Sequence, residues 1–249
     1  MPSDFSSRSL TADSRRRFLE EIVGRCAASA TARGVVVFDL DGTLMDNRPR
    51  VAAILQELAH HWSETHSEAA AACRSLDIDT MSYGIVDNLR ALGIDDDALI
   101  EEGAAFWAER FFTDEYLRHD VEVPGAAAFA RRCHEAGANL VYLTGRDLPN
   151  MALGSFASLR DLGFPIGVIG TELVTKQDFG TPDDAFKRGV ADQLARLGDV
   201  AAVFDNEPVN CNLLLAAHPR TRSVLLDTLH APKPPELHPD VVVIDTFQM

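Results

Sequence analysis

Apolar residues follow two rhythms along this chain. Val35, Val36, Val37 and Phe38 form an unbroken apolar run that ends at Asp39, with Gly34 just before it. Continuous rather than alternating apolarity marks a strand buried on both faces, as in a parallel sheet. Similar runs occur at 140–143, at 168–169 with a continuation to 174, at 200–204 and at 224–226; a sixth, at 241–244, reads as an edge strand. Helical spacing fills the gaps at 124–136, 149–162, 182–197 and 208–217, each with a proline near its start, where the missing N–H costs nothing. Gly137, Gly163 and Gly198 close three of these helices, as expected at a helix C-terminus. Strand–helix alternation of this kind predicts the α/β class, a doubly wound (Rossmann-like) parallel sheet. Ahead of it, residues 13–29 place Phe18, Leu19, Ile22, Val23 and Cys26 on one helical face that packs on the core.

One segment breaks the alternation. From 47 to 120 no strand pattern occurs, only helical stripes: Val51, Ile54, Leu55, Leu58 and Trp62; then Ile85, Leu89 and Leu92; then Leu99, Phe106, Trp107 and Phe111. The expectation is a core of residues 1–46 and 121–249, with an all-helical insertion of three to five helices at 47–120, directly after the first strand. The proline-rich stretch 231–239 reads as an extended connection into the last strand. No internal repeat or low-complexity tract appears.

Composition narrows the function classes. The 249 residues are 46% hydrophobic and 24% charged, an ordinary balance for a globular protein. No stretch approaches the roughly 20 apolar residues that span a bilayer, and the first 21 residues lack the apolar core of a secretory signal. The cytoplasm is the expected location, with no membrane partner. A formal charge of −15 repels the phosphate backbone, which argues against nucleic acid as a partner. It leaves room for a small phosphorylated substrate if cations are concentrated locally. Lysine is scarce: Lys176, Lys187 and Lys233 stand beside 20 arginines. Cys26, Cys73, Cys133 and Cys211 are far apart with no C-x-x-C pair, which predicts reduced, packing thiols rather than a zinc site. Nothing in the sequence sets the oligomeric state.

The strongest chemical signal is Asp39-Leu40-Asp41-Gly42-Thr43-Leu44, at the carboxyl end of the first strand. Ligands of open α/β sheets bind at that end. Two aspartates two apart on an extended strand would face opposite ways, so a sharp turn is needed to join them, and Gly42 permits one. A lone Asp-Gly would be no more than a turn dipeptide; the hexapeptide after an apolar strand is a stronger pattern.

In this hexapeptide the chain resembles the haloacid dehalogenase-like superfamily, mostly phosphatases, whose signature is an apolar strand followed by D-x-D-G-T. Later segments are similar to its other motifs, in order: Leu140 to Arg146 with Thr144 and Gly145, then Lys187 on a helix start, then Ala202 to Glu207 with Asp205. The resemblance implies a magnesium-dependent phosphatase. Asp39 would be the nucleophile that forms an aspartyl-phosphate, and Asp41 the general acid and then base. Thr144, Gly145 and Lys187 would hold the phosphoryl oxygens. Mg²⁺ would be bound by the Asp39 carboxylate, the Asp41 carbonyl and Asp205, oxygen ligands suited to a hard cation. Lys176 is the rival for the lysine role. Asn206 and Glu207 follow Asp205 where many members carry a second aspartate, so their role stays open. The helical insertion would be the cap that closes over the site, with no second cap between Thr144 and Lys187.

Other readings were weighed on residues. A carbon–halogen dehalogenase has no need of an acid at Asp41, and a phosphonate hydrolase would be expected to need a cap lysine, of which 47–120 has none. A phosphomutase would use the same residues, and an idle binding module would not need them all. His60, His61 and His66 lack the i, i+4 spacing of a helical metal pair and read as surface residues. Phe106, Trp107, Phe111 and Phe112 read as packing of the insertion rather than a platform for substrate. Arg48 and Arg146, beside the motifs, read either as substrate contacts or as solvated side chains.

Overall fold

The structure, a computed structural model, describes residues 5–27 and 33–249. Strand β1 (Gly34–Phe38) is buried along its whole length and lies inside a six-stranded sheet, as its unbroken apolarity requires. The sheet is completed by β4 (Asn139–Asp147), β5 (Thr171–Lys176), β6 (Asp199–Asp205), β7 (Arg222–Leu226) and β8 (Val242–Ile244). The strand order is β5-β4-β1-β6-β7-β8, with every neighbouring pair parallel. Helices α1 (Ala12–Cys26), α6 (Ala126–Glu135) and α7 (Leu148–Asp161) supply Leu19, Phe129 and Leu159 to one face. On the other face, α8 (Asp183–Leu194) and α9 (Pro208–Ala217) supply Ala191, Leu194 and Leu214. This is the doubly wound α/β core expected from the alternation. Phe38 anchors it, stacked on Phe204 at 5.1 Å and on Tyr142 at 6.2 Å.

Two expectations shift. Val168 and Ile169 are not strand residues; they are 52% and 89% exposed. Gly167 and Gly170 flank them at φ 71° and 83°, a left-handed conformation that bends the chain, so the edge strand starts only at Thr171. The first helix ends at Cys26, and residues 28–29 of the expected span lie outside the described residues.

Between β1 and α6 the chain leaves the sheet. A short antiparallel ribbon pairs β2 (Met45–Asp46) with β3 (Val121–Glu122), so the outgoing and returning stretches run side by side. Beyond it lie α2 (Arg48–His61), α3 (Ser67–Arg74), α4 (Ile85–Ala91) and α5 (Asp97–Phe111), with no strand among them. Their apolar stripes meet in a cluster of their own, around Leu55, Leu58, Trp62, Leu89 and Ile100. Gly103 lets α5 approach: a Cβ there would press on Leu89, Trp62 and Leu58 at 3.0–3.3 Å. His60, His61 and His66 are exposed on this segment. No helix of the described residues is long and apolar enough to cross a membrane.

Candidate active site

Asp39 continues β1, its N–H donating to the Phe204 carbonyl at 2.9 Å, so Asp39 and Asp205 stand together at the carboxyl ends of adjacent strands. The chain then turns sharply. The N–H groups of Thr43, Leu44 and Met45 all donate to the Leu40 carbonyl, at 3.1, 3.0 and 2.9 Å, and Gly42 N–H donates to Met45 O. Gly42 sits at φ 74°, and a Cβ there would collide with the Asn206 side chain. Gly42→Ala is therefore expected to lose roughly 1–3 kcal/mol of stability from left-handed strain and the clash. Calorimetric melting measures this, and an unchanged melting temperature contradicts it.

Lys187, on α8 and 2% exposed, joins the two carboxylates. Its Nζ donates to Asp39 Oδ1 at 2.7 Å and to Asp205 Oδ2 at 2.6 Å. Thr43 Oγ1 donates to the other Asp39 oxygen at 3.3 Å. The other Asp205 oxygen accepts from Glu207 N–H at 2.9 Å and Asn210 Nδ2 at 3.1 Å. Burial alone would depress the Lys187 ammonium, but the charges of Asp205 and Asp39 outweigh it and hold it above its ordinary value. Burial pushes Asp39 up to about 7; Lys187 opposes this, and the nearby Asp205 charge adds to it. Thr144 is buried at the end of β4's apolar run and accepts from Arg146 N–H at 3.2 Å. A Cβ on Gly145 would collide with the Asp183 carboxylate. Lys176, at the end of β5, donates instead to Asp183 at 2.8 Å and to Thr181 O at 3.0 Å.

Asp41 faces a different set of partners. Arg146 reaches it twice, Nε to Oδ2 at 2.7 Å and Nη2 to Oδ1 at 2.9 Å, and Arg50 Nη2 donates to Oδ1 at 2.6 Å. Both guanidinium groups also donate to the buried Asp120, Arg50 at 2.7 and 2.6 Å and Arg146 at 2.7 Å. Burial would raise Asp41, but Arg146 and Arg50 outweigh it and hold the carboxyl far below the usual carboxylate range. Arg146 is thus a buried partner of Asp41, not a solvated side chain. Arg48, by contrast, grips Asp46 and reaches Asp79. Sequence reasoning missed Arg50, Asp120 and Asn210. Arg50 lies on the buried stripe of α2, one position from Val51, where a charge calls for a buried partner. Asn210 lies one turn into α9 past Asp205.

Three features fit a hard cation here. Asp39 and Asp205 are close enough to share one ammonium. Without a further cation their mutual charge pushes Asp39 up, which a divalent ion would reverse. The Oδ1 of buried Asn210 has no hydrogen-bond partner beside Asp205. Among the described residues no three His, Cys, Asp or Glu side chains gather around one point. Two carboxylates would therefore rely on backbone and water oxygens to complete the shell. Asn206 and Glu207 are engaged elsewhere: Asn206 Nδ2 with Leu229 O at 2.6 Å, and the Glu207 carboxylate with Ala231 N–H at 2.9 Å.

The sequence model of the haloacid dehalogenase-like hydrolases matches residues 34–210. No curated protein matches the chain. Among solved structures, the fold is similar to a candidate phosphatase from Clostridium difficile, at 16% identity and a TM-score of 0.55, covering 84% of this chain and 93% of that one. Protein Tyrosine Kinase A of Mycobacterium tuberculosis is similar at 16% identity and a TM-score of 0.53, covering 87% and 95%. CbbY of Rhodobacter sphaeroides, solved in complex with phosphate, is similar at 15% identity and a TM-score of 0.50, covering 86% and 94%. At these identities the likeness is one of fold.

Proposed function

The chain belongs to the haloacid dehalogenase-like hydrolases, and from that premise we propose that it is a magnesium-dependent phosphatase acting on a small phosphorylated metabolite through an aspartyl-phosphate on Asp39. The observation that supports this most is the Lys187 ammonium held between Asp39 and Asp205 at the carboxyl edge of the sheet. It gathers a nucleophile, a second carboxylate and a fixed positive charge where a phosphoryl group can enter.

The Asp39 carboxylate attacks phosphorus as the ester P–O bond breaks, and the departing alkoxide takes a proton from Asp41. A water molecule then attacks the acyl phosphate and gives its proton to Asp41, which releases phosphate and restores Asp39. Lys187, the Thr144 hydroxyl and the Gly145 N–H would bear the phosphoryl oxygens. Mg²⁺, held by Asp39, Asp205 and the Asp41 carbonyl, would supply positive charge that lets an anionic nucleophile meet an anionic phosphate. With both arginines on it, Asp41 is a carboxylate suited to accept a proton. To donate one it must first separate from Arg50, which α2 carries. We therefore take residues 47–120 as a cap whose movement accompanies proton transfer, on a core of 1–46 and 121–249. The four buried free thiols fit a reducing compartment such as the cytoplasm.

Hydrolysis of an aryl phosphate with Mg²⁺ and with EDTA tests the reading; equal rates in both would reject it. Metal binding is checked independently of turnover. At about 100 times its Kd, Mg²⁺ should stabilise the protein by about 2.7 kcal/mol, and the melting shift should vanish in Asp205→Asn. A shift that persists there places the metal elsewhere.

A further inference from the structure

The surroundings of this site carry two aromatic rings that the proposed chemistry does not use. Tyr83 lies on the stretch that leads into α4. Buried Asn88 pins that stretch, accepting from Ser82 N–H at 2.7 Å and donating to Ser82 O at 3.0 Å. Met81 and Ile85 are buried on either side, yet Tyr83 is left 55% exposed. Enough protein surrounds its phenol that burial, followed by the charges of Glu207, Asp183, Asp41 and Asp39, pushes it up to about 12. Those four carboxylates belong to the carboxyl end of the sheet, so the tip of Tyr83 stands over it.

Phe179 comes from the core, on the connection between β5 and α8, and is 56% exposed. It meets Phe112 edge-on at 5.0 Å, and Phe112 in turn touches Phe111 and Trp107. Arg50, which holds Asp41, lies over the Phe111 ring at 4.4 Å. The aromatic cluster of the helical segment therefore does more than pack that segment: it supports an exposed ring beside the site. Tyr83 and Phe179 share one neighbour. Asp183, whose charge acts on Tyr83, pairs with Lys176 at 2.8 Å, and the Lys176 Nζ is 5.9 Å from the Phe179 ring. Asp183 also lies against Gly145, in the segment proposed to cradle phosphate.

Scattered exposed apolar residues need no explanation. Two exposed rings, one from the helical segment and one from the core, both braced and both beside the same carboxylate, form an apolar frame for whatever is attached to the phosphate. The local acids do not ask for a cationic partner: Asp183 is paired with Lys176, and burial pushes Glu207 up to about 7. We propose that Tyr83 and Phe179 are specificity-determining residues that grip the leaving group, and that the preferred substrates are phosphate monoesters carrying a flat, uncharged ring. This rests on the phosphatase reading above.

The test compares benzyl and n-propyl ligands, whose alkoxides are of similar basicity. Calorimetry gives the Kd of benzylphosphonate and n-propylphosphonate in Mg²⁺, and kcat/KM is measured for the two corresponding phosphates. The proteins are wild type, Tyr83→Ala, Tyr83→Phe and Phe179→Ala. Wild type should favour the benzyl ligand by roughly tenfold or more, the scale on which an apolar pocket discriminates. Each alanine variant should lose most of that preference without changing propyl binding, and Tyr83→Phe should keep it. Equal affinity in wild type, a preference that survives both alanine variants, or tighter binding of phosphocholine overturns the inference. Benzyl and propyl esters hydrolysed alike would leave the phosphatase standing and remove only the ring preference. Absence of both phosphonate binding and magnesium-dependent hydrolysis would remove the two together.

Discussion

Asp39→Asn is expected to turn over phosphate esters at least about ten-thousandfold more slowly than wild type, the scale on which loss of a nucleophile is felt, while melting no lower. An amide of the same shape can still accept from Lys187 and Thr43 but cannot form the acyl phosphate. The stability half follows from linkage. Asp39 is pushed up to about 7, so between its ordinary value near 4 and that point the folded state binds more protons than the unfolded one. Stability then falls as pH rises through this window. At pH 8 without metal the wild type holds an unfavourable buried charge that the asparagine lacks. Single-turnover phosphate release and melting at pH 8 in EDTA check both halves. Turnover above about 1% of wild type refutes the nucleophile assignment, and a melting point well below wild type means that the Asp39 charge is structural.

How far the sequence speaks depends on which physics is local. Val35 to Phe38 shows its burial by apolarity alone, and proline and glycine mark helix ends by steric rules that act within one turn. The order Asp39, Thr144, Lys187, Asp205 could be read because each follows an apolar run or opens a helix. What could not be read is contact at a distance. Arg50 and Asp120 are 70 residues apart and meet only because the β2–β3 ribbon brings both stretches to the same place. No spacing rule predicts that pair, or that Asp41 turns toward two arginines. Val168 and Ile169 fail for the opposite reason: a local apolar signal was overruled by two glycines and an edge position. Lys176 and Lys187 were not separable from the chain alone, since each follows an element end. Burial separates their surroundings.

Lys187→Ala is therefore the second decisive change, with Lys176→Ala as its counterpart. Lys187 neutralises two carboxylates that are nearly inaccessible, and its removal leaves both buried and facing each other. Breaking such a pair costs about 3–5 kcal/mol, and losing the proposed charge opposite the phosphoryl oxygens should lower kcat by roughly a hundred- to a thousandfold. Lys176 faces Asp183, whose side chain is 60% exposed. An ion pair so open to water contributes about 1 kcal/mol at most, and its loss should leave kcat within severalfold of wild type. Because the first variant loses stability as well, turnover is compared well below its melting temperature and at saturating Mg²⁺. A divalent ion between Asp39 and Asp205 should restore part of the lost stability without restoring the rate. That split distinguishes the two roles of the lysine: the metal can replace its charge between the carboxylates, but not its contact with the phosphoryl group. If Lys176→Ala is instead the slower variant, the β5 end carries the phosphoryl-facing charge and Lys187 only ties the strands together.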